Sequence, residues 1–224
     1  MYNKEKILFD LMLEKQAKLN DLTYPKWKEE LTMVDWESAV LVEAGELLES
    51  YGYKWWKKQD KNLENVKVEL IDILHFMLSH LHYFHKSVQE ETRKIFINSF
   101  KNDDEDIKDD YSFKYFVLNL IVFGIKNTSY QFETLAKLFK YVGMDFEEVY
   151  KAYFTKNVLN KFRQKHGYKK RTYIKIWNYE NRMVEDNVVA FLIAKDLSAN
   201  KLFEKKLYNK LEKIYKQLPN VKGV

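Results

Sequence analysis

The chain has 224 residues, of which 46% are hydrophobic, 16% aromatic and 32% charged, and 38 basic against 33 acidic side chains leave a net charge of +5. That length supports a real hydrophobic core, while six glycines and two prolines are too few for a hairpin-rich β architecture. The absence of cysteine excludes disulfide scaffolds, thiolate metal sites and cysteine nucleophiles, and the small, dispersed charge excess does not call for nucleic acid. Charges interrupt every apolar run before it reaches membrane-spanning length. Met1 to Lys6 mixes acid with base and leads into no apolar block, which argues against a secretory signal. The expectation is a soluble, cytoplasmic protein with no membrane or nucleic-acid partner.

Helix signals follow one another along the chain, with no internal repeat. Residues 3–20 place Ile7, Leu8, Leu11, Met12 and Leu19 at helical spacing, and Asp21 to Pro25 ends the run. Asp35 is placed to cap a second helix reaching about Glu49, ahead of Ser50-Tyr51-Gly52. A third helix is expected from about Leu63 through the eighties, since no glycine or proline interrupts it. Lys101 to Asp110 holds six acids in ten residues and reads as a solvated loop, without the glycine and ligand pattern of a calcium site. Further helices are expected at 111–126 and 128–141. Another opens at the Asp145-Phe146-Glu147-Glu148 capping box and closes at Gly167. Residues 168–187 read as irregular, and two last helices fall at about 187–197 and 198–217. The expectation is one all-α domain over 1–224, a helical bundle.

Two of these helices carry acids where apolar residues should be. Ala39 to Leu48 is apolar nearly all round, predicting burial on most sides, yet it contains Glu43 and Glu46 three apart. Val68 to Phe76 repeats the device with Glu69 and Asp72. Burying four carboxylates costs several kcal/mol each unless positive charge compensates. Interhelical salt bridges are the plain explanation, weighed lower because neither run holds a Lys or Arg at facing spacing. Two or more divalent cations would neutralise the acids directly. A hard oxygen ligand set favours Mg²⁺, or Mn²⁺, over zinc. Asp72-Ile-Leu-His75 also matches half of a di-iron bundle site, though that architecture needs two such motifs.

Further on, Lys156, Asn160 and Arg163 fall at i, i+4 and i+7, with Asn157 beside them. A solvated basic face accounts for Lys and Arg but not for asparagines, which are poor helix formers. Amides and a guanidinium along one stripe suit phosphate oxygens and a sugar hydroxyl. Trp55, Trp56 and Trp177 are candidates either for base stacking or for the core.

Gln16-x-x-x-Asn20, Glu43-x-x-Glu46, Tyr53-Lys54-Trp55-Trp56-Lys57, Glu69-x-x-Asp72-x-x-His75-Phe76, Lys156 to Arg163, Gly167-Tyr168-Lys169 and Trp177-Asn178 stand in this order. The set resembles the motifs of the all-α, dimeric dUTPases over about residues 7–190. The wider superfamily of all-α nucleoside triphosphate pyrophosphohydrolases shares only the carboxylate core. The resemblance implies a homodimer that cleaves dUTP, and dUDP, to dUMP with Mg²⁺. It also implies metal ligation by Glu43, Glu46, Glu69 and Asp72, with Glu46 activating the water. Gln16 and Asn20 would lie by the uracil, Trp56 and Phe76 would flank base and sugar, and His75 would stand near the deoxyribose. Lys57, Lys156, Asn160, Arg163 and Lys169 would serve the phosphates, with Asn157 and Asn178 lining the nucleotide. Three departures stand out: Lys170-Arg171 replaces an acidic-glycine pair, Tyr179 to Val184 is inserted before Glu185-Asp186-Asn187, and Tyr53 stands where a tryptophan is frequent. The alternatives are a pyrophosphohydrolase for another nucleotide such as dCTP, a di-iron bundle, or a helical interaction module whose acids form salt bridges.

Overall fold

The computed structural model describes residues 2–102, 107–124, 127–198 and 202–218. It is all-α apart from one small hairpin. The helices are α1 (Tyr2–Thr23), α2 (Trp27–Glu30), α3 (Met33–Tyr51), α4 (Leu63–Leu81), α5 (Lys86–Ser99), α6 (Asp110–Gly124), α7 (Thr128–Tyr141), α8 (Phe146–Lys165), α9 (Asp186–Lys195) and α10 (Phe203–Tyr215). They fall into two compact units, 1–150 and 151–224, with the boundary inside α8.

In the first unit, α4 is the central element. Leu70, Ile71, Ile73, Leu74, Met77, Leu78 and Leu81 are all fully buried, matching its expected apolar character. Phe9 of α1, Phe96 of α5 and Phe132 of α7 meet around it with ring centroids 5.6–6.0 Å apart. α3 corrects the expectation of burial on most sides. It buries one stripe, Val40, Ala44, Leu47 and Tyr51, while Leu41 and Val42 are more than half exposed. At its start the N-cap is Thr32, not Asp35: the backbone N–H and hydroxyl of Thr32 both donate to the Asp35 carboxylate at 2.7 Å. Asp35 therefore stands at the third helical position of the cap.

The long helix expected from Leu63 is two helices. No breaker residue marks the joint; side chains from elsewhere capture the backbone. Gln89 donates to the carbonyl of Leu81, the last residue of α4, at 3.2 Å and to that of Phe84, in the turn that follows, at 3.0 Å. The Tyr83 hydroxyl donates to the carbonyls of Trp27 and Leu31, both at 2.9 Å, which fixes the intervening turn against α2.

The capping box at Asp145 is present as read. The Glu148 N–H donates to Asp145 at 2.8 Å, and the Asp145 N–H to Glu148 at 2.9 Å. The acidic residues 103–106, residues 125–126 of the expected 111–126 helix, and residues 199–201 of the last lie outside the described residues.

The second unit corrects the reading of 168–187 as irregular. A 3₁₀ turn at Tyr168–Lys170 is followed by an antiparallel hairpin of β1 (Ile176–Tyr179) and β2 (Arg182–Glu185), pairing Trp177 with Val184. Glu180 and Asn181 both have positive φ, 50° and 63°, as a two-residue hairpin turn requires. The inserted stretch Tyr179 to Val184 therefore builds most of this hairpin. Trp177 is fully buried, donates to the Ile174 carbonyl at 2.8 Å, and packs on Phe162 and Tyr215. It belongs to the core of this unit, which settles its two readings against base stacking.

Candidate active site

The acids of α3 and α4 converge in the first unit. Glu43, Glu69 and Asp72 each place a carboxylate oxygen so that all three lie within 4.8 Å of one another. Glu69 is buried, while Glu43 and Asp72 are half-buried. One divalent ion with Mg–O distances of about 2.1 Å spans about 4.2 Å between opposite oxygens, so small side-chain adjustments let these three share a cation. An all-oxygen donor set suits a hard divalent ion. The pKa of Glu43 is pushed up to about 8, first by burial and then by the charges of Asp72, Glu46 and Glu69 and a hydrogen bond with Glu69. Each of these contributions raises the value. The crowding at Glu43 is thus between carboxylates, which disfavours the salt-bridge explanation at this residue.

Glu46 stands outside the trio and is exposed, although its charge is felt at Glu43. Three residues turn a helix through about 300°, leaving Glu46 about 60° from the direction of Glu43. The cluster has a support that the sequence reading missed. Asn65, four residues before Glu69 on α4, donates to Glu69 Oε1 at 2.8 Å and to Ser50 of α3 at 2.7 Å.

A second polar group joins α1 to α4. The Gln16 amide donates to Asn20 Oδ1 at 2.9 Å and to Ser79 Oγ at 3.0 Å, and the Asn20 amide donates to Ser79 Oγ at 3.0 Å. All three residues are buried. Ser79 also donates to the carbonyl of His75 at 2.9 Å, so His75 lies beside the same network. Its own Nδ1 donates to the Ile71 carbonyl at 2.8 Å. Ser79 too went unnoticed in the sequence, although Asp72, His75 and Ser79 share a stripe at i, i+3 and i+7. His75 is no member of the metal-capable cluster. Phe76 is half-buried against Trp36, with centroids 6.3 Å apart. Trp56 and Lys57 are exposed in the loop that leaves α3 through Gly52, and Trp56 meets Tyr53 and Trp55 edge to face.

The remaining candidates belong to the second unit. Lys156 and Asn157 are buried, and Asn157 Oδ1 has no hydrogen-bond partner among the described residues. The Asn157 amide donates to the Tyr153 hydroxyl at 3.3 Å. Arg163 is committed to an acid that the sequence reading gave no role. Its Nε and Nη2 donate to Asp186 at 2.8 and 2.7 Å, Nη2 reaches Asn187 at 3.1 Å, and Nη1 reaches Asn160 at 3.3 Å. Tyr173 donates to the same Asp186 at 2.7 Å. Asp186 is fully buried, so this forked pair is a fixed feature of the unit. Lys169 and Asn178 are exposed, on the 3₁₀ turn and on β1.

The family model for dUTPase matches residues 8–168, which include the carboxylate cluster, the Gln16–Asn20–Ser79 network and the stripe from Lys156 to Arg163. The chain belongs to the dUTPase family. It is a hydrolase, a dUTP diphosphatase. No curated protein matches its sequence closely enough to serve as a relative. The match stops before the hairpin, so the inserted segment lies outside the family pattern. No helix among the described residues is long and apolar enough to cross a membrane.

Proposed function

We propose that this dUTPase hydrolyses dUTP, and also dUDP, to dUMP in the cytoplasm as a homodimer that depends on Mg²⁺. The observation that carries the metal reading is the convergence of Glu43, Glu69 and Asp72 within 4.8 Å. These three residues would hold Mg²⁺, or Mn²⁺, with Glu46 at the open margin completing a site for two or more ions. Bound Mg²⁺ would supply charge neutralisation for the phosphate chain and acidify an attacking water. Glu46, exposed and about one helical turn from Glu43, is our choice for the base that takes that water's proton.

Gln16 and Asn20 carry amides, groups that match the donor and acceptor edge of uracil. Their buried bonds to Ser79 hold those amides in one orientation before substrate arrives. His75 and Phe76 follow on the same helix for the sugar, and Trp56 supplies an aromatic face from its loop. Lys57, Lys156, Asn160, Arg163 and Lys169 would meet phosphate oxygens, with Asn157 and Asn178 along the nucleotide. For Arg163, its bonds to Asp186 set a second task, orienting Asn160.

The test is a nucleotide panel run with wild type and Glu46→Gln at fixed Mg²⁺, with melting temperature measured on the same preparations. Wild type should release dUMP from dUTP and dUDP and leave dCTP largely untouched. Glu46→Gln keeps the side chain's volume and, being exposed, should melt within a few degrees of wild type. Its turnover should fall a hundredfold or more, the scale of losing a positioned base. Preferential cleavage of dCTP would replace the substrate reading. Normal turnover in the variant would remove Glu46 from its role.

A further inference from the structure

A second ionisable pair is buried between the same two helices that carry the metal-capable acids. Glu37 of α3 and His80 of α4 are 8% and 1% exposed, and His80 Nδ1 stands 3.0 Å from Glu37 Oε1. The contact is one of charge and proximity: among the described residues neither atom is in hydrogen-bonding geometry with any partner. Glu37 Oε2 accepts from the amide of Gln131 on α7 at 3.1 Å, and that amide also donates to the Leu120 carbonyl of α6 at 3.1 Å. One polar node therefore ties α3, α4, α6 and α7. It takes no part in the chemistry described above. Six residues separate Glu37 from Glu43 and eight separate His80 from Asp72, about 9 and 12 Å along their helices.

Burying such a pair is expensive, and an apolar pair of similar volume would hold the helices together as well or better. An apolar pair would not choose a register. Sliding α4 along α3 by one turn, about 5.4 Å, trades one apolar contact for another but strands both Glu37 and His80 in the core. The register matters because the metal-capable oxygens come from both helices, and a small hard cation tolerates little error in their spacing. The contacts run as rungs down an antiparallel pair: Glu37 with His80, Glu43 with Asp72, and Ser50 with Asn65.

We propose that Glu37 and His80 are positioning residues that set the register of α3 against α4, and through it the distance from Glu43 to Glu69 and Asp72. This rests on the metal reading above. The test titrates Mn²⁺ into metal-free protein by calorimetry and records melting temperature on the same samples. Glu37→Leu/His80→Leu should melt near or above wild type yet bind Mn²⁺ at least tenfold more weakly. A folded double variant with wild-type affinity overturns the proposal.

His80→Gln and His80→Asn decide the matter if the double variant does not fold. Both are amides, but asparagine places its amide nitrogen as many bonds from Cα as His80 Nδ1, the atom that meets Glu37, whereas glutamine carries its amide one atom further out. The proposal requires His80→Asn to stay within about threefold of wild type and His80→Gln to lose tenfold. Equal affinities in these two variants overturn it. A wild-type protein that takes up no Mn²⁺ overturns this proposal and the metal reading together. A wild type that binds beside variants that bind alike overturns the register role alone.

Discussion

Glu43 keeps its proton to about pH 8, because burial and three neighbouring carboxylates disfavour its charge. The consequence for stability follows from its ordinary value of 4.5. The folded value lies above the unfolded one, so the folded state binds the extra proton between about pH 4.5 and 8. Stability from this group is complete below the unfolded value and is lost as pH rises through the folded one. Metal-free protein should therefore lose melting temperature as the pH is taken from 5 to 8. Mg²⁺ should restore it most strongly at the alkaline end and release protons on binding near neutrality. Melting curves with and without Mg²⁺, and titrations in buffers of different ionisation enthalpy, check both outcomes. A metal-free melting temperature that climbs across this range would contradict the assignment. The trio was legible in the sequence because charge at helical spacing inside an apolar run is costly without a purpose. Asn65 and Ser79 were not, because a single amide or hydroxyl on a helix draws no attention until its partner on another helix is seen. Trp177 was ambiguous for a related reason: the same ring serves a core and a base, and only its burial decides.

Helix ends were readable where the signal is local. Asp145 and Glu148 form their reciprocal cap, and Gly167 ends the helix in the left-handed region at φ 88°. The break between α4 and α5 was not readable, since its cause lies in Gln89 and in the reach of Tyr83 to α2. Nor was the hairpin, whose Glu180-Asn181 turn lacks the glycine that announces such turns. Two glycines give opposite predictions at this scale. Gly45 lies in α3 with nothing within 4 Å of the position a Cβ would take. Alanine there removes the helical cost of glycine, and Gly45→Ala should stabilise by about 0.5–1 kcal/mol. At Gly167 a Cβ would stand 2.1 Å from Thr172 Oγ1, on a backbone that alanine adopts only under strain. Gly167→Ala should cost about 1–2 kcal/mol. Thermal melts should rank Gly45→Ala above wild type and Gly167→Ala below it, and a reversed order would defeat the account of either site.

At the scale of the whole molecule, part of the apolar side-chain surface is uncovered. On α6, Tyr111, Tyr115, Leu118 and Val122 recur at i, i+4, i+7 and i+11 and are each at least half exposed. On α3, the partner helix of the carboxylate cluster, Val34, Leu41 and Val42 are likewise more than half exposed. A helix normally presents its polar face to water, so these stripes are the part of the pattern that the single chain leaves unexplained. The proposed homodimer predicts that a second copy of the chain covers at least one of them. Sedimentation at micromolar concentration should then give twice the 27.2 kDa of one chain. Leu41→Arg and Leu118→Arg, both at exposed positions, should leave the monomer folded, because neither side chain fills its core. Whichever of the two faces meets the partner, an arginine there must be desolvated at the centre of the contact, which weakens association by several kcal/mol. That variant should sediment as a monomer at concentrations where wild type is fully dimeric, with an unchanged helical circular-dichroism spectrum. A wild-type chain that sediments as a monomer at these concentrations would instead make the two stripes exposed features of a solitary molecule.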